Sequence, residues 1–443
     1  MTDSAGLSRR QFATGAAAAA GIMIVPRHVL GKGKKAPSDT LNIVSVGAGG
    51  RARSDINGCA HENIVALCDV DWNRAHSTFA QYPNAKPYKD FRVMLKKEKG
   101  IDAVIIGTPD HTHAVIAMEA ISRGLHVYCE KPLTRTIHEA RVLGKAAKQA
   151  DVVTQMGNQG HAMEGTRQIR EWIEAGVIGD VSRIEYWTNR PIWPQAIDRP
   201  TEAHHVPPWL DWDLFLGPAK FRPYHPAYHP FAWRGWWDYG TGALGDIACH
   251  AMDAAFWIFD LRDPDRVSAE TTKLYAETAP AASRIHYHFP KRGDRPELDV
   301  VWRDGNLQPP RPPELADDEQ LPQSSGQFYV GSKGVLAAGI YGENPTLYPS
   351  KLHAEVIADP PPTRYPRTDG AHKEWTQACK GEGKAGSDFT SHSGPLTELG
   401  LLGNLAVRSG RALEWDAAQG RVTNHEAANQ YLHDEYRKGW SLG

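Results

Sequence analysis

Lys131 is the residue whose type and position most clearly predict chemistry. It belongs to the tripeptide Glu130-Lys131-Pro132, which directly follows a short apolar segment, His126-Val127-Tyr128-Cys129. In an open α/β sheet, ligands bind beyond the carboxyl ends of the strands, so this spacing places a charged amine at a ligand-binding edge. A lysine ammonium at such an edge stabilises negative charge that develops on a reacting oxygen.

A glycine-rich turn earlier in the chain predicts a dinucleotide site. Gly47-Ala48-Gly49-Gly50-Arg51-Ala52 follows an apolar segment at 41–46 and has the spacing G-x-G-x-x-A. The first glycine permits a tight turn, the second lets the backbone approach a pyrophosphate, and the small last residue lets helix and strand pack closely. The turn alone does not establish a cofactor, because glycine turns also occur in folds that bind none.

Asp69 supports a cofactor and indicates which one. It ends the second apolar segment, about twenty residues after the turn, where an acid binds the ribose 2′-hydroxyl of NAD. Val70 and Asp71 follow, with no basic residue directly adjacent to neutralise a 2′-phosphate. We therefore predict NAD in preference to NADP. An exported protein would meet little free nicotinamide outside the cytoplasm, so in that case we expect the NAD to stay tightly bound. The predicted cofactor residues in this region are Gly47, Gly49, Gly50, Arg51 and Asp69.

The order of apolar segments predicts an α/β fold with two domains. Short apolar runs alternate with helical patterns up to about residue 160, which indicates a parallel sheet covered on both faces. After that point, separate strand-like pieces indicate an antiparallel sheet. A chain of 443 residues is also too long for one ordinary core. The early apolar runs lie at 41–46, 63–69, 102–107 and 126–129, and the later strand-like pieces at 181–187, 286–289, 298–302 and 327–330.

Charge and cysteine content exclude several classes of function. A formal net charge of −2 gives no electrostatic reason to expect a nucleic acid or an anionic membrane as partner. The five cysteines lack metal-ligand spacing and are expected to be buried or inert. A disulfide between Cys59 and Cys68 is possible if the protein meets an oxidising compartment.

The N-terminus resembles a twin-arginine export signal. Arg9 and Arg10 precede an apolar run at 13–25 that is short and only weakly hydrophobic for a membrane-spanning helix. We expect residues 1–38 to form this signal and a linker, with the twin-arginine export machinery as partner. The protein would then be periplasmic or exported, and membrane-anchored if the signal is uncleaved. The alternative is a disordered basic N-terminus.

Four motifs together resemble the Gfo/Idh/MocA oxidoreductases. They are the glycine turn, Asp69, the T-P-x-x-x-H segment at 108–113 and the tripeptide ending at Pro132. The resemblance implies a Rossmann domain at 39–160 and a second α/β domain at 161–443, whose large, mostly antiparallel open sheet lines the substrate site. It also implies a C-terminal segment that packs back on the first domain, sugar or polyol substrates, and a homo-oligomer. The further cofactor residues are Thr108, Pro109, His113, Glu130, Lys131 and Asn158.

Asp246 and His250 are four residues apart on a predicted helix and share one face. By themselves they fit a surface pair or a metal site. The resemblance instead assigns both, with Lys131, to the active site. Oxidising a secondary alcohol requires a group that takes the hydroxyl proton, and histidine suits that task. We expect His250 to be the acid/base, Lys131 the electrostatic partner and Asp246 the orienting group, although Lys131 and His250 can exchange roles. Asp253 is expected to be a helix-packing acid.

The segment at 187–240 combines aromatic and hydrogen-bonding side chains, as carbohydrate sites do. Its alternative role is packing the loop or an oligomer interface. Metal is not expected, because His111 and His113 belong to the predicted cofactor segment, while His286 and His288 alternate along a predicted strand. The predicted substrate contacts are His161, Tyr228, His229, Arg234 and Trp236.

These observations favour an exported NAD-dependent oxidoreductase that transfers hydride between a sugar, glycoside or polyol hydroxyl and nicotinamide. Two alternatives stay open. One is an NAD-dependent glycosidase that works by transient oxidation and elimination, which would also suit a cofactor that is retained. The other is a non-catalytic sugar-binding protein on the same fold.

Overall fold

The computed structural model describes residues 40–321 and 324–442. The predicted export signal at 1–38 lies outside these residues. From Leu41 onward the chain forms one compact unit, so the domain boundary at residue 160 stays a prediction. Among the described helices, none has the length and hydropathy needed to cross a membrane.

The first sheet is parallel and has six strands in the order β3-β2-β1-β4-β5-β6. This is the doubly wound order of a Rossmann domain, as predicted. The strands are β1 Asn42–Val46, β2 Asn63–Cys68, β3 Lys86–Tyr88, β4 Ala103–Ile106, β5 His126–Cys129 and β6 Thr154–Met156. The helices between them are α1 Arg51–Gly58, α2 Trp72–Gln81, α3 Phe91–Lys97, α4 Asp110–Ser122 and α5 Ile137–Ala150.

The second sheet has nine strands in the order β13-β12-β11-β7-β10-β9-β8-β14-β15. It is mostly antiparallel, with one parallel pair between β7 and β10. This confirms the predicted fold class. The strands are β7 Val181–Trp187, β8 Arg266–Thr271, β9 Ser283–Phe289, β10 Leu298–Arg303, β11 Gly326–Gly331, β12 Gly334–Ala338, β13 Thr346–Tyr348, β14 Leu413–Asp416 and β15 Arg421–Val422.

Helix α8 (Gly242–Ala251) carries Asp246 and His250. One side of α8 packs on the long helix α12, and a methyl group at Gly403 of α12 would come within 2.7 Å of Leu244. This close packing holds α8 in place, and with it Asp246 and His250. The remaining helices are α6 Glu164–Glu174, α7 Trp212–Leu216, α9 Asp253–Phe259, α10 Ser350–Ala358, α11 Ala371–Cys379 and α12 Ser393–Ser409, with 3₁₀ helices at Gln159–Ala162, Ala232–Gly235 and Glu426–Tyr431.

Two later segments contact the first domain beside the carboxyl edge of its sheet. The aromatic-rich loop pairs Leu210 with Asp71 in an isolated β-bridge, and His229 Nε2 lies 2.7 Å from the Asp71 carboxylate. Near the C-terminus, the ring of Trp440 packs 6.1 Å from that of Phe91. The C-terminal segment therefore reaches back to the Rossmann domain.

All five cysteines lie within the described residues and are free. Cys59 and Cys68 are both buried. The disulfide that the sequence left open is not formed in this structure.

Candidate active site

A cavity of about 370 Å³ lies at the carboxyl edge of the parallel sheet, between that edge and the second domain. Most of the predicted site residues line it. They are Gly47, Gly49, Arg51, Asp69, Thr108, Pro109, Glu130, Lys131, His229, Arg234, Asp246 and His250. The predicted residues that lie elsewhere are Gly50, His113, Asn158, His161, Tyr228 and Trp236.

The glycine turn between β1 and α1 has the backbone geometry that a dinucleotide requires. Gly47 has a φ of 87°, and a methyl group there would lie 2.8 Å from the Gly107 carbonyl. Only glycine fits both constraints. The N-terminus of α1 has no side-chain cap, so its first amides are available to a phosphate. These residues fit the diphosphate of a nicotinamide cofactor.

Asp69 is held against this turn at the end of β2. Its carboxylate accepts hydrogen bonds from the amides of Ala48 (2.8 Å), Gly49 (3.1 Å) and Asp71 (2.9 Å). Burial raises the pKa of Asp69 although these three amides oppose the shift. The structure thus places Asp69 in the wall of the cavity beside the glycine turn, and its binding of a ribose hydroxyl stays a prediction.

Arg74 also lines the cavity, and it was not predicted from the sequence. It lies in the first turn of α2, and a methyl group at Gly50 would be 2.6 Å from its Nη2. The available signal was its position one helical turn beyond Asp71. Arg74 therefore brings a positive charge next to the glycine turn and into the cavity that Asp69 also lines.

Glu130 belongs to a buried charged group beneath the turn. Arg51 Nε lies 3.1 Å from Glu130, and Arg51 Nη2 lies 3.2 Å from Asp55. Burial is the main cause that raises the pKa of both carboxyls, and the shared arginine only partly offsets it. Arg51 therefore has two neighbouring carboxyl groups as ion-pair partners.

His113 does not reach the cavity but connects two segments that form it. Its Nδ1 lies 2.9 Å from the carbonyl oxygen of Pro132, and its Nε2 lies 2.8 Å from that of Thr108. The segment after β4 and the segment after β5 are thereby fixed to each other. His113 is placed to position Lys131.

Lys131 and Asp246 form an ion pair across the two domains. Lys131 Nζ donates to the Asp246 carboxylate at 2.9 Å and to the Asp246 backbone carbonyl at 2.6 Å. Burial alone would lower the pKa of Lys131, but the charges of Asp246 and Glu130 outweigh it, and the pKa is raised. Lys131 is consequently protonated at neutral pH.

His250 differs from Lys131 in its protonation state. It is buried, and its Nδ1 has no hydrogen-bond partner among the described residues. Burial, followed by the nearby charge of Lys131, lowers its pKa well below the usual value. The imidazole is therefore neutral at neutral pH and able to accept a proton.

Asp246 contacts Lys131 and not His250. Within residues 40–321 and 324–442, no hydrogen bond joins Asp246 to the imidazole, whereas Arg234 Nε lies 3.4 Å and Arg190 Nε 3.7 Å from its carboxylate. The side chain that Asp246 orients is therefore that of Lys131. Orientation of His250 by Asp246 stays a prediction.

Asp253, the first residue of α9, joins three segments. Its carboxylate accepts a hydrogen bond from Asn158 Nδ2 at 2.8 Å and lies 3.0 Å from His161 Nδ1 and 2.6 Å from His392 Nε2. The ligand-type atoms of His161, Asp253 and His392 lie within 4.8 Å of one another, a spacing that a metal ion also accepts. The absence of metal therefore stays a prediction.

The aromatic loop divides into a buried half and a cavity half. Tyr228 and Trp236 are buried, with ring centroids 4.8 Å apart, and Trp236 Nε1 donates to the Ala227 carbonyl at 2.8 Å. Both belong to the loop's own core, which matches the packing alternative. Other residues line the cavity and were not predicted as site residues. They are Gln159, Arg190, Ile192, Trp193, Phe231, Trp233 and Tyr341.

Known proteins resemble this chain in sequence over part of its length. Levoglucosan dehydrogenase of Pseudarthrobacter phenanthrenivorans is 30% identical over 174 residues, which is 38% of this chain and 35% of that protein. D-glucoside 3-dehydrogenase of Escherichia coli is 29% identical over 239 residues, 53% of this chain and 58% of that protein. The chain thus spans between 35% and 58% of these two curated relatives. Both names are those of dehydrogenases, and they give no support to the glycosidase alternative.

Solved structures resemble this chain over most of its length. The WlbA dehydrogenase of Bordetella pertussis, in complex with NADH and UDP-GlcNAcA, has a TM-score of 0.59 at 17% identity and covers 85% of this chain and 99% of its own. Levoglucosan dehydrogenase in complex with NADH and L-sorbose has a TM-score of 0.57 at 16% identity, with 85% and 98% covered. At these identities the likeness shows a common fold.

Two family models match consecutive parts of the chain. Residues 41–158 match the oxidoreductase family's NAD-binding Rossmann fold, and residues 166–295 match the C-terminal α/β domain of the same family. Together they cover more than half of the sequence, including the glycine turn, Lys131, Asp246 and His250. The chain belongs to the Gfo/Idh/MocA oxidoreductase family.

Proposed function

We propose that this protein is an NAD-dependent oxidoreductase that transfers hydride between a hydroxyl group of a sugar, glycoside or polyol and nicotinamide. The observation that carries the proposal is the pairing of a protonated Lys131 with a neutral His250 in the cavity that also holds the glycine turn. Alcohol oxidation needs both a proton acceptor and a stabiliser of alkoxide charge.

Lys131 has one donor left for a substrate oxygen. An ammonium carries three N–H groups, and the Asp246 carboxylate and carbonyl accept two of them. The third is available to the cavity. Since Asp246 fixes Nζ from two sides, the remaining N–H is held in place before substrate binds.

His250 then accepts the hydroxyl proton. Its lowered pKa keeps the imidazole unprotonated, and its neighbour Lys131 disfavours a second positive charge there. When bound, NAD supplies the nicotinamide ring that accepts the hydride. The residues that would hold it are Gly47, Gly49, Arg51, Asp69 and Thr108, and Asp69 favours NAD over NADP.

We also propose that the cofactor is retained between turnovers. Residues on both flanks of the cofactor end support this, because the Asp71–His229 contact joins the aromatic loop to the ribose side. Trp440 and Phe91 line the same cavity. Retention would suit export by the twin-arginine machinery, which the sequence at 1–38 predicts, since free nicotinamide is scarce outside the cytoplasm.

The test combines cofactor content with turnover. Native mass spectrometry of the purified protein should show bound NAD, and titration of cofactor-free protein should give tighter binding of NAD than of NADP. A panel of sugars, glycosides and polyols should then produce NADH absorbance. Failure to bind either nucleotide, or binding without NADH from a broad panel, would overturn the proposal. Light scattering of the same sample would test the expected homo-oligomer.

A further inference from the structure

The end of the cavity beside Lys131 has more positive than negative charge. This substrate end is formed by Lys131, Arg190, Arg234, Asp246 and His250, with Ile192, Trp193, Phe231, Trp233 and Tyr341 around them. The three cations share Asp246 as their ion-pair partner. His250 adds no negative charge, since it is neutral or cationic.

Asp246 cannot neutralise both arginines. It is already the ion-pair partner of Lys131 at 2.9 Å, and its distances to Arg234 Nε (3.4 Å) and Arg190 Nε (3.7 Å) are longer. Over the described part of the chain, no other carboxylate lies within ion-pair distance of either arginine. Two guanidinium groups thus lack a dedicated counter-charge.

Among the described residues, the other acids that line the cavity form no ion pair with Arg190 or Arg234. Asp110 is buried and accepts a hydrogen bond from Thr241 Oγ1 at 2.7 Å. Burial raises its pKa, although neighbouring charges, Arg234 and Lys131 among them, oppose the shift. Glu130 is paired with Arg51. Asp69 and Asp90 line the cavity beside the glycine turn, directly after β2 and directly before α3.

Both arginines are held in position by uncharged groups. Arg234 lies over the rings of Trp233 at 4.2 Å and Phe231 at 4.7 Å. Arg190 Nη1 donates to the side-chain oxygen of Asn189 at 2.7 Å. Aromatic faces and an amide oxygen fix a guanidinium without removing its charge. The side chains remain 25% and 22% exposed for Arg190 and Arg234, so ligand can reach them.

A guanidinium fork held in this way matches the geometry of a carboxylate, sulfate or phosphate group. We propose that the substrate is an acidic sugar whose anionic group binds between Arg190 and Arg234 while a ring hydroxyl meets Lys131 and His250. This inference rests on the proposed function, because the same cavity holds both sets of residues. It adds that the protein selects anionic over neutral sugars.

The experiment compares matched sugar pairs on the NAD-loaded protein. Methyl glucuronide is compared with methyl glucoside, galacturonate with galactose, and glucose 6-sulfate and glucose 6-phosphate with glucose. We expect kcat/KM to be at least about tenfold higher for the acidic member of one class, mainly through KM. The class that gains identifies the anion as carboxylate, sulfate or phosphate. Equal or higher kcat/KM for the neutral members in every pair would overturn the inference.

Variants test whether the arginines cause the preference. Arg190→Gln and Arg234→Gln should each lower the acidic-to-neutral ratio about tenfold, and Arg234→Lys should restore part of it. Arg421→Gln, at a surface arginine paired with Glu426, is the matched control and should leave the ratio unchanged. A ratio that is unaffected by both glutamine variants would contradict the inference.

Binding separates this inference from the proposed function. Quenching of tryptophan fluorescence in the NAD-loaded protein gives a Kd for each sugar without requiring turnover. Tighter binding of acidic sugars with no NADH would retain the inference and reject the oxidoreductase proposal. NADH formation without a preference for acidic sugars would do the reverse.

Discussion

The part of the cavity at the glycine turn, here called the cofactor end, and the substrate end beside Lys131 are constructed differently. At the cofactor end, backbone amides and small residues form the site, as the 2.8 Å contact that a methyl group at Gly47 would make with Gly107 shows. At the substrate end, side chains from β5, α8 and the aromatic loop meet. A local sequence pattern therefore specifies the first, and only long-range folding assembles the second.

Charge distinguishes the two ends as well. Arg51 is balanced by Glu130 and Asp55, and Asp69 by three backbone amides. Beside Lys131, two arginines share one carboxylate. A cleft lined by an excess of one sign of charge raises the local concentration of ligands of the opposite charge.

The largest effect is expected from removing the proton acceptor at the substrate end. His250→Gln should lower the rate of hydride transfer by about 10²- to 10⁴-fold, because the amide cannot accept the hydroxyl proton. The cofactor end is untouched, so the Kd for NAD should stay within about threefold, measured by calorimetry. His76→Gln, at an exposed histidine of α2, is the control. A full loss of NAD binding in His250→Gln would show that the two ends are not separable.

A substitution at the cofactor end should instead weaken the binding of NAD. Gly47→Val places a side chain against Gly107 at a φ of 87°, so NAD affinity should fall by about 100-fold or more. Gly100→Ala is the matched control, because Gly100 also has a positive φ of 70° but nothing within 4 Å. It should cost about 1 kcal/mol of stability without a change in the Kd for NAD.

If Gly47→Val bound NAD as tightly as the unmodified protein, the turn would not be the cofactor site. Thermal unfolding of both glycine variants, followed by circular dichroism, would separate a binding defect from misfolding.

The pH dependence of the rate tests the protonation state of His250 at the substrate end. A histidine with an ordinary pKa would lose about fourfold in the unprotonated fraction between pH 8 and pH 6. The pKa of His250 is lowered well below that value, so the imidazole stays unprotonated over this interval. The rate of alcohol oxidation by bound NAD should then change by less than about twofold. Stopped-flow NADH absorbance gives the profile, and a fourfold fall toward pH 6 would contradict the assigned protonation state.

The smallest effects distinguish the two halves of the aromatic loop. Trp233 lines the cavity beside Arg234, so Trp233→Phe should raise the KM of the sugar by about threefold. Tyr228 packs in the loop's own core, and Tyr228→Phe should leave KM within about 1.5-fold. Steady-state kinetics on one sugar compare the pair. The reverse order of effects would show that the cavity is not the substrate site.

The fold and the cofactor end were largely predictable because their signals are local. The alternation of apolar segments indicated the parallel sheet, and the glycine turn with Asp69 lies within about thirty residues, the length of a βαβ unit. The short strand β13 (Thr346–Tyr348), with three residues, has too little pattern to be recognised.

The substrate end was less predictable for a physical reason. Arg190 follows β7, and Tyr341 lies between β12 and β13, so nothing in the sequence indicates that both reach one cavity. The same loop supplies Trp236 to a buried core and Trp233 to the cavity, and composition cannot show which face each occupies. The Lys131–Asp246 ion pair joins residues 115 positions apart.

The most direct test of this account is a single-turnover record of NADH absorbance after a matched panel of acidic and neutral sugars is mixed with NAD-loaded protein, carried out in parallel on Lys131→Met. We expect the unmodified protein to reduce its bound NAD with an acidic sugar. Lys131→Met, although it still contains NAD by native mass spectrometry, should be slower by about 10²-fold or more. Reduction of bound NAD at the same rate by both proteins would contradict it.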